Sequence, residues 1–340
     1  MIRFFNPGLT YKKYENEIDT ELKRVMSEGQ LILRKDVEDF EKILASFVGT
    51  KYAVALNSCT DALYLALRGL GIGQGDEVLV PSRTFVASAQ VIVQVGATPV
   101  YYDTDLSGFK TSEKTKAIIP VHIEGAFDTH FDEILEIAKM HNIPIIEDAA
   151  QALGAMQGGK MAGSFGIAGC FSFYPAKILG AFGDAGALVT NDENMYNYVK
   201  DARNHFKDDA RDWGVNSRLD NIQAVILNIR IKDIHKMLAR RQEIAEMYQE
   251  GLKDLSWLKL PPHTEGRVYQ DYIVRTEKRD ALYQYLKDNG VETLKNNYPF
   301  PVPKLPRAQK YEDETLRLPC SENLTNEEVA EVINLIKKLK

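Results

Sequence analysis

The chain has 340 residues, enough for about two domains at roughly 100–200 residues each and for cores that need no disulfide or metal staples. A composition of 44% hydrophobic, 26% charged and 9% aromatic residues excludes intrinsically disordered, collagen-like and small disulfide-scaffold classes. Lys and Arg number 42 against 48 Asp and Glu, a net charge of −6, so the broadly basic surface of a nucleic-acid binder is not expected.

Residues 14–47 carry apolar positions at helical spacing, through Ile18, Leu22 and Val25 and then Phe40, Ile43, Leu44 and Phe47, and predict helix. From about Tyr52 short apolar runs at 52–56, 77–80, 99–102, 117–120 and 143–146 alternate with helix-length segments at 61–70, 87–95 and 131–140. That alternation predicts an α/β fold on a mainly parallel sheet. Runs at 169–173 and 187–190 would complete the sheet. A long helical stretch over about 217–250 follows. Beyond Leu258 come a run at 272–274, a helix at 279–289, a loop through Pro299, Pro301, Pro303 and Pro306, and a last helix at 325–339. The expected division is a large α/β domain over 1–230, including the N-terminal helical segment, and a smaller α+β domain over 231–340.

Cys59, Cys170 and Cys320 are odd in number, scattered and without a CxxC pair, which predicts neither a disulfide framework nor a zinc site and suits a reducing compartment. The six histidines show no metal-ligand spacing. The N-terminus lacks the apolar core of a signal peptide. The most apolar window, 85–100, is broken by Ser88, Gln90, Gln94 and Gly96, short of the ~20 apolar residues that span a bilayer. A soluble, cytoplasmic protein is expected, with neither membrane nor nucleic acid as partner.

Two glycine motifs are set aside. Gly69, Gly71, Gly73 and Gly75 follow a helix and precede a strand, the reverse of a dinucleotide-binding turn, and predict a helix-to-strand loop. Gly154, Gly159 and Lys160 miss a phosphate-binding loop because Met161 stands where Ser or Thr is required; a hairpin turn at Gly158-Gly159 is expected instead.

Three segments suit one cofactor. The run 143–146 leads into Glu147-Asp148-Ala149-Ala150-Gln151, and an acid at the C-terminal end of a parallel strand is either a ligand contact or a helix cap. Asn57-Ser58-Cys59-Thr60-Asp61 joins a strand to a helix, offering unpaired N–H groups and a positive dipole end to a phosphate, although capping alone also explains Ser58 or Thr60. Ser172-Phe173-Tyr174-Pro175-Ala176-Lys177 runs into the glycine-rich turn 180–186 and places a lysine on a loop.

The ordered motifs Asn57-Ser-x-Thr-Asp-Ala-Leu, Pro81-Ser-x-Thr-Phe-Val-Ala-Ser-Ala, Pro120-Val-His, Glu147-Asp-Ala-Ala-Gln, Phe171-Ser-Phe-Tyr-Pro-x-Lys, Gly183-Asp-x-Gly and Gly214-x-Asn-Ser-Arg-Leu-Asp-x-x-Gln-Ala resemble the DegT/DnrJ/EryC1/StrS family, over nearly the whole chain. These are pyridoxal-phosphate-dependent aminotransferases of nucleotide-linked keto sugars with the type I aminotransferase fold. The resemblance implies that Lys177 forms the Schiff base with the cofactor and shuttles the proton. It also implies that Asp148 pairs with the pyridine nitrogen, Gln151 faces the phenolic oxygen and Phe85 stacks on the ring. Ser58, Cys59, Thr60 and Ser172 would surround the phosphate, and Asn216 would reach the phosphate of a neighbouring subunit, so a homodimer is implied. Glutamate is the implied amino donor, and the cofactor would alternate between pyridoxal and pyridoxamine phosphate.

Several positions depart from the family. Cys59 and Ala185 replace glycines, and Ala168 replaces an acid. The loop from Tyr298 to Pro306 lacks the usual Tyr-Pro…His-Leu-Gln-Pro wording, which bears on the sugar. Asn216-Ser217-Arg218-Leu219-Asp220 leans toward 3-keto rather than 4-keto sugars. His122 and Glu124 are either substrate contacts or structural hydrogen-bonding groups. Arg83 and Arg218 would face a sugar diphosphate, a donor carboxylate or an ion-pair partner. A dehydratase on this fold would carry His in place of Lys177, and a non-catalytic regulator would be expected to lose the cofactor residues; Asp148, Gln151, Ser172 and Lys177 are all retained.

Overall fold

The structure, a computed structural model, describes residues 1–295 and 301–339; Tyr298 and Pro299 of the expected loop lie outside them. The first helix, α1 (Pro7–Glu28), opens with Pro7 at its first position, where the missing N–H costs nothing, and with the Asn6 side chain accepting from the Leu9 N–H at 3.4 Å. It closes at Gly29, in the left-handed region at φ 65°. The helix expected over 14–47 is therefore two helices, and the second, α2 (Lys35–Val48), again ends on a left-handed glycine, Gly49.

The main unit then alternates as β1 (Tyr52–Leu56), α3 (Cys59–Gly69), β2 (Glu77–Pro81), α4 (Val86–Gln94), β3 (Thr98–Tyr102), β4 (Thr115–Ile118), α5 (Phe131–His141) and β5 (Ile146–Asp148). A two-residue hairpin of β6 (Met156–Gln157) and β7 (Lys160–Met161) precedes β8 (Ala168–Ser172), β9 (Gly186–Thr190) and α6 (Glu193–Ala202). The ladder order β1-β9-β8-β5 is joined to β3-β2-β4 by bridges from Ile118 to Ile145 and from Val121 to Asp148. One sheet results, in the order 1-9-8-5-4-2-3. Within it β9 alone runs antiparallel to its neighbours. The sheet is covered on both faces, which is why its strands read as unbroken apolar runs. Val37, Phe40 and Leu44 of α2 pack on one side with Phe171 and Phe173. Leu63, Ala66 and Leu67 of α3 pack on the other with Val78, Val91 and Val199.

The long helix expected near 217–250 is broken at 232–233 into α7 (Asn221–Ile231) and α8 (Ile234–Leu252). Ile234 and Met237 join the main core, whereas Ile244, Ala245, Tyr248 and Leu252 join a separate C-terminal core. The two cores thus share one helix. The C-terminal unit is built from β10 (Tyr272–Arg275), α9 (Arg279–Asp288), β11 (Leu294–Lys295), α10 (Pro306–Glu314), β12 (Thr315–Leu318) and α11 (Asn326–Lys338), with its strands in the antiparallel order β10-β12-β11. Pro306 is not loop but the start of α10. Ile2 also packs in this core and bridges Val291. The architecture is the expected α/β layer with a smaller α+β unit. Among the described residues no helix is long and apolar enough to cross a membrane.

Candidate active site

The C-terminal ends of β1, β5 and β8 carry the three segments singled out from the sequence. After β1 the chain turns at Ser58, the N-cap of α3, whose hydroxyl accepts from the Asp61 N–H at 3.1 Å. Capping is therefore what Ser58 does with its side chain. The N–H groups of Cys59 and Thr60 fall at the first two helical positions, where the helix itself supplies no acceptor. They sit at the positive end of the dipole, with the half-buried Thr60 hydroxyl beside them. Gly186 stands opposite both Leu56 and Ser172 in the sheet. A Cβ on it would lie 2.2 Å from Ser58 C and 2.4 Å from Cys59 N, so β9 presses on this turn and holds it beside Ser172. Cys59 has no left-handed backbone, and its side chain packs in the core with Val54 and Leu63. Burial pushes its thiol well above the ordinary range, and the Asp148 carboxylate adds to the effect. Cys59 therefore acts as a small apolar side chain.

Asp148 ends β5 and is buried. Its Oδ2 accepts from Ser88 Oγ at 2.6 Å and its Oδ1 from the Ala150 N–H at 3.1 Å. Ser88 has a single proton and gives it to Asp148, so in the 2.7 Å contact with Thr84 it is Thr84 that donates. A directed chain Thr84–Ser88–Asp148 results, and each oxygen of the carboxylate accepts one hydrogen bond. Ser88 stood in the Pro81-Ser-x-Thr-Phe-Val-Ala-Ser-Ala motif without an assigned role. Phe85, beside Thr84, stands at the N-cap position of α4 and is 54% exposed.

Gln151 is oriented from a neighbouring strand end. Its Oε1 accepts from the Glu124 N–H at 2.8 Å, which leaves its amide N–H donors to face outward. Glu124 has a left-handed backbone, φ 64°. Its buried carboxylate pairs with Arg83 and accepts from the Tyr311 hydroxyl at 3.2 Å, and the Arg83 guanidinium stacks 3.6 Å from the centre of the Tyr311 ring. Glu124 and Arg83 thus resolve as a buried ion pair that shapes the site. His122 is structural. It is fully buried, and its Nδ1 accepts from the Asp128 N–H at 3.3 Å, so Nε2 donates to Glu147 at 3.0 Å. Arg218 donates to Asn204 Oδ1 at 2.9 Å.

Lys177 lies on the loop after β8, its N–H donating to Tyr174 O at 2.8 Å. Among the described residues its Nζ makes no hydrogen bond or ion pair. Burial holds its pKa below the ordinary 10.5; Asp271 and Asp148 oppose that shift and Arg317 adds to it. A base with lowered pKa supplies the neutral amine that a nucleophile requires. Asn216 is exposed and bridges Asn204 through its backbone. Its neighbour Ser217 accepts from the Asn57 N–H at 3.2 Å and donates to the Asp61 carboxylate at 2.6 Å, fastening this segment to the turn that opens α3. Among the described residues no group of His, Cys, Asp and Glu is arranged to hold a metal.

An amine without a hydrogen-bond partner among the described residues, a buried carboxylate held by two donors, free amide donors and a helix N-terminus with hydroxyls fit the pyridoxal phosphate pattern of aldehyde, ring nitrogen, phenolic oxygen and phosphate. Fold and site together define a type I pyridoxal-phosphate aminotransferase. The sequence profile of the DegT/DnrJ/EryC1/StrS aminotransferase family matches residues 12–337, and the chain belongs to that family. It is 37% identical over 365 residues to dTDP-3-amino-3,4,6-trideoxy-alpha-D-glucose transaminase of Streptomyces venezuelae, covering 99% of this chain and 96% of the relative. It is also 37% identical over 337 residues to UDP-2-acetamido-2-deoxy-3-oxo-D-glucuronate aminotransferase of Pseudomonas aeruginosa, covering 95% and 92%. Among solved structures it resembles S. venezuelae DesV in complex with a ketimine intermediate, with a TM-score of 0.94 at 36% identity, covering 99% and 98% of the two chains. The protein is an aminotransferase, and its cofactor is pyridoxal phosphate in exchange with pyridoxamine phosphate.

Proposed function

We propose that the protein moves an amino group from L-glutamate to the ketone of a nucleotide-linked 3-keto sugar, giving 2-oxoglutarate and a nucleotide-linked amino sugar. It does so as a homodimer with shared sites. The observation that carries the substrate reading is the fastening of the 216–220 segment to the cradle through Ser217. The segment whose wording leans to 3-keto sugars borders the cofactor site. The S. venezuelae relative is named for a 3-amino sugar and the P. aeruginosa relative for a 3-oxo sugar, which supports the same choice.

Bound cofactor supplies an electron sink for the bond broken at the donor's Cα. The residues divide the remaining work. Cys59 and Thr60 N–H groups, with the Thr60 and Ser172 hydroxyls, bind the phosphate, and Ser58 keeps the helix start in place. Asp148 would pair with the pyridine nitrogen, Gln151 would donate to the phenolic oxygen and Phe85 would cover the ring. Lys177 Nζ would hold the cofactor at rest. Once released, the amine would take the proton from the amino donor's Cα as a general base and deliver it as a general acid to the cofactor's former aldehyde carbon, so that the amino group stays with the cofactor. Asn216, exposed on the segment that Ser217 fastens, would reach the phosphate of the partner subunit's cofactor.

The test is an absorbance spectrum with pyridoxal phosphate, before and after glutamate, for wild type and Lys177→Ala. A cofactor band that glutamate bleaches only in the wild type supports the donor and Lys177. A band that glutamate leaves unchanged removes glutamate as donor. The charged enzyme is then offered 3-keto and 4-keto nucleotide sugars and the product is located by NMR; amination at C4 alone would overturn the C3 assignment.

A further inference from the structure

Lys177 sits on a loop of the main unit, yet the groups on either side of it are held from the C-terminal unit. Gln270 lies just before β10, between Tyr269 and Tyr272 of the C-terminal core, and is itself buried. Its Nε2 donates to Ala176 O at 2.9 Å and its Oε1 accepts from the Ile178 N–H at 3.1 Å. One carboxamide therefore satisfies the two peptide groups that flank Lys177. The pairing has only one sense, since a carbonyl must meet the amide nitrogen and an N–H must meet the amide oxygen.

The bracket is itself braced. Arg241 Nη1 donates to the backbone carbonyls of Tyr269 at 3.2 Å and Gln270 at 2.8 Å, and its other nitrogens bond Glu322 Oε2 at 3.1 and 2.8 Å. Glu322 also pairs with Arg230 at 3.3 Å. Arg230 returns to the lysine loop, donating to Gly180 O and, at 3.4 Å, to Ile178 O. Alternate carbonyls at 176, 178 and 180 are thus each held by a buried side chain. The loop has no ladder of its own, and buried carbonyls need such partners.

We propose that Gln270 is a positioning residue for Lys177: it fixes where the amine stands and ties that position to the C-terminal unit. Any movement of that unit relative to the main sheet is passed to the amine through two hydrogen bonds. The proposal rests on the reading of Lys177 as the cofactor-holding lysine, and the test separates the two.

The variants are Gln270→Leu, which removes both bonds, and Gln270→Glu, which as a carboxylate keeps the shape and the acceptor but has no donor for Ala176 O. In apo protein, labelling of Lys177 by an amine-selective reagent is followed across pH by peptide mapping; the charged and thiol groups that act on this amine are Asp148, Asp271, Arg317 and Cys59. Pyridoxal phosphate is then added and the growth of its absorbance band timed. Both variants are expected to shift the labelling profile and to slow uptake about tenfold or more, as expected when a reacting group is misplaced by ~1 Å. Lowering the pH to protonate the carboxylate introduced by Gln270→Glu restores a donor and should recover part of the uptake rate relative to wild type at the same pH. A wild-type labelling profile with wild-type uptake would overturn the proposal. So would a loss of thermal stability with no change at Lys177, which would make Gln270 a packing group alone. If Gln270→Leu does not fold, Gln270→Glu decides by the same readouts. If wild-type protein takes up cofactor elsewhere than on Lys177, the function reading fails while the apo labelling still judges the bracket.

Discussion

Adding one methyl group at Gly186 tests whether the helix start after β1 is the phosphate cradle. The new Cβ would stand 2.2 Å from Ser58 C, 2.4 Å from Cys59 N and 2.6 Å from Ser58 O. All three are backbone atoms, so no side-chain rotation relieves the overlap. Bringing the shortest contact out to an ordinary 3.4 Å moves the turn by about 1.2 Å. β9 is paired on both sides, to β1 and β8, so the displacement falls on residues 58–60. Hydrogen bonds to a charged group contribute about 1.5–3 kcal/mol each. Misplacing one of these N–H groups should therefore raise the dissociation constant for pyridoxal phosphate roughly 10- to 100-fold. Overpacking adds about 1–3 kcal/mol of destabilisation. The assay is cofactor titration followed by fluorescence quenching, with thermal unfolding alongside. Gly183→Ala is the control. Its nearest neighbour is the Gln223 amide nitrogen at 2.8 Å, the end of a side chain, and affinity should be kept. A folded Gly186→Ala protein that binds cofactor as tightly as wild type would refute the cradle.

Other outcomes follow from the same geometry. Because burial holds Lys177 below 10.5, the folded state binds fewer protons than the unfolded state between its folded pKa and 10.5. Stability therefore rises with pH across that window, and the cost of burying the charge is full below it. Apo Lys177→Met should be more stable than apo wild type at neutral pH, with the gain shrinking toward pH 10.5 in urea titrations; a gain that grows with pH would have the wrong sign. Ser88→Ala removes a bond to the Asp148 carboxylate, worth about 1.5–3 kcal/mol, and should lower kcat about tenfold or more with KM little changed. Thr84→Val, one step removed, should do less, and the reverse ranking in steady-state kinetics would dismiss the chain. Glu147→Gln places an amide among donors from His122 at 3.0 Å and from the N–H groups of Gly163, Phe165 and Gly166 at 2.7 Å. It should cost about 1–3 kcal/mol in denaturant unfolding, because a donor NH2 then meets a donor N–H, and an unchanged midpoint would count against the acceptor role of both oxygens.

The parallel strands were legible because both faces of the sheet are covered, so runs such as Tyr52–Leu56 carry no polar interruption. The Gly158-Gly159 turn was also legible, and both residues have positive φ between β6 and β7. The break between α1 and α2 was not, because Leu31, Ile32 and Leu33 continue the apolar spacing and Gly29 alone signals it. β12 is four residues long and follows α10 directly, too short to show a period. Asp148, Lys177 and the Ser58–Thr60 turn could be found because each is a local motif. Gln270 could not. It is 92 and 94 positions from its two partners, and nothing local marks a glutamine that serves a distant loop. Ser88 was visible in a motif but carried no hint of its acceptor, 60 positions on.

Glu147 and Asp148 are neighbours on β5, and successive strand residues point to opposite faces. One carboxylate is enclosed by three backbone N–H groups and a histidine; the other takes the end of a hydroxyl chain and one backbone N–H. Parity along a three-residue strand thus decides which acid is the anchor and which is the one proposed to face the cofactor. A slip of one position would exchange them, putting the longer acid into the reaction space and leaving the 163–166 turn without its anchor. The pairings of Ile146 with Ala168 and of Val121 with Asp148 act as the pins of this two-position lock. Insertions or deletions between residues 142 and 148 should therefore be far less tolerated than substitutions, whatever their distance from the sugar.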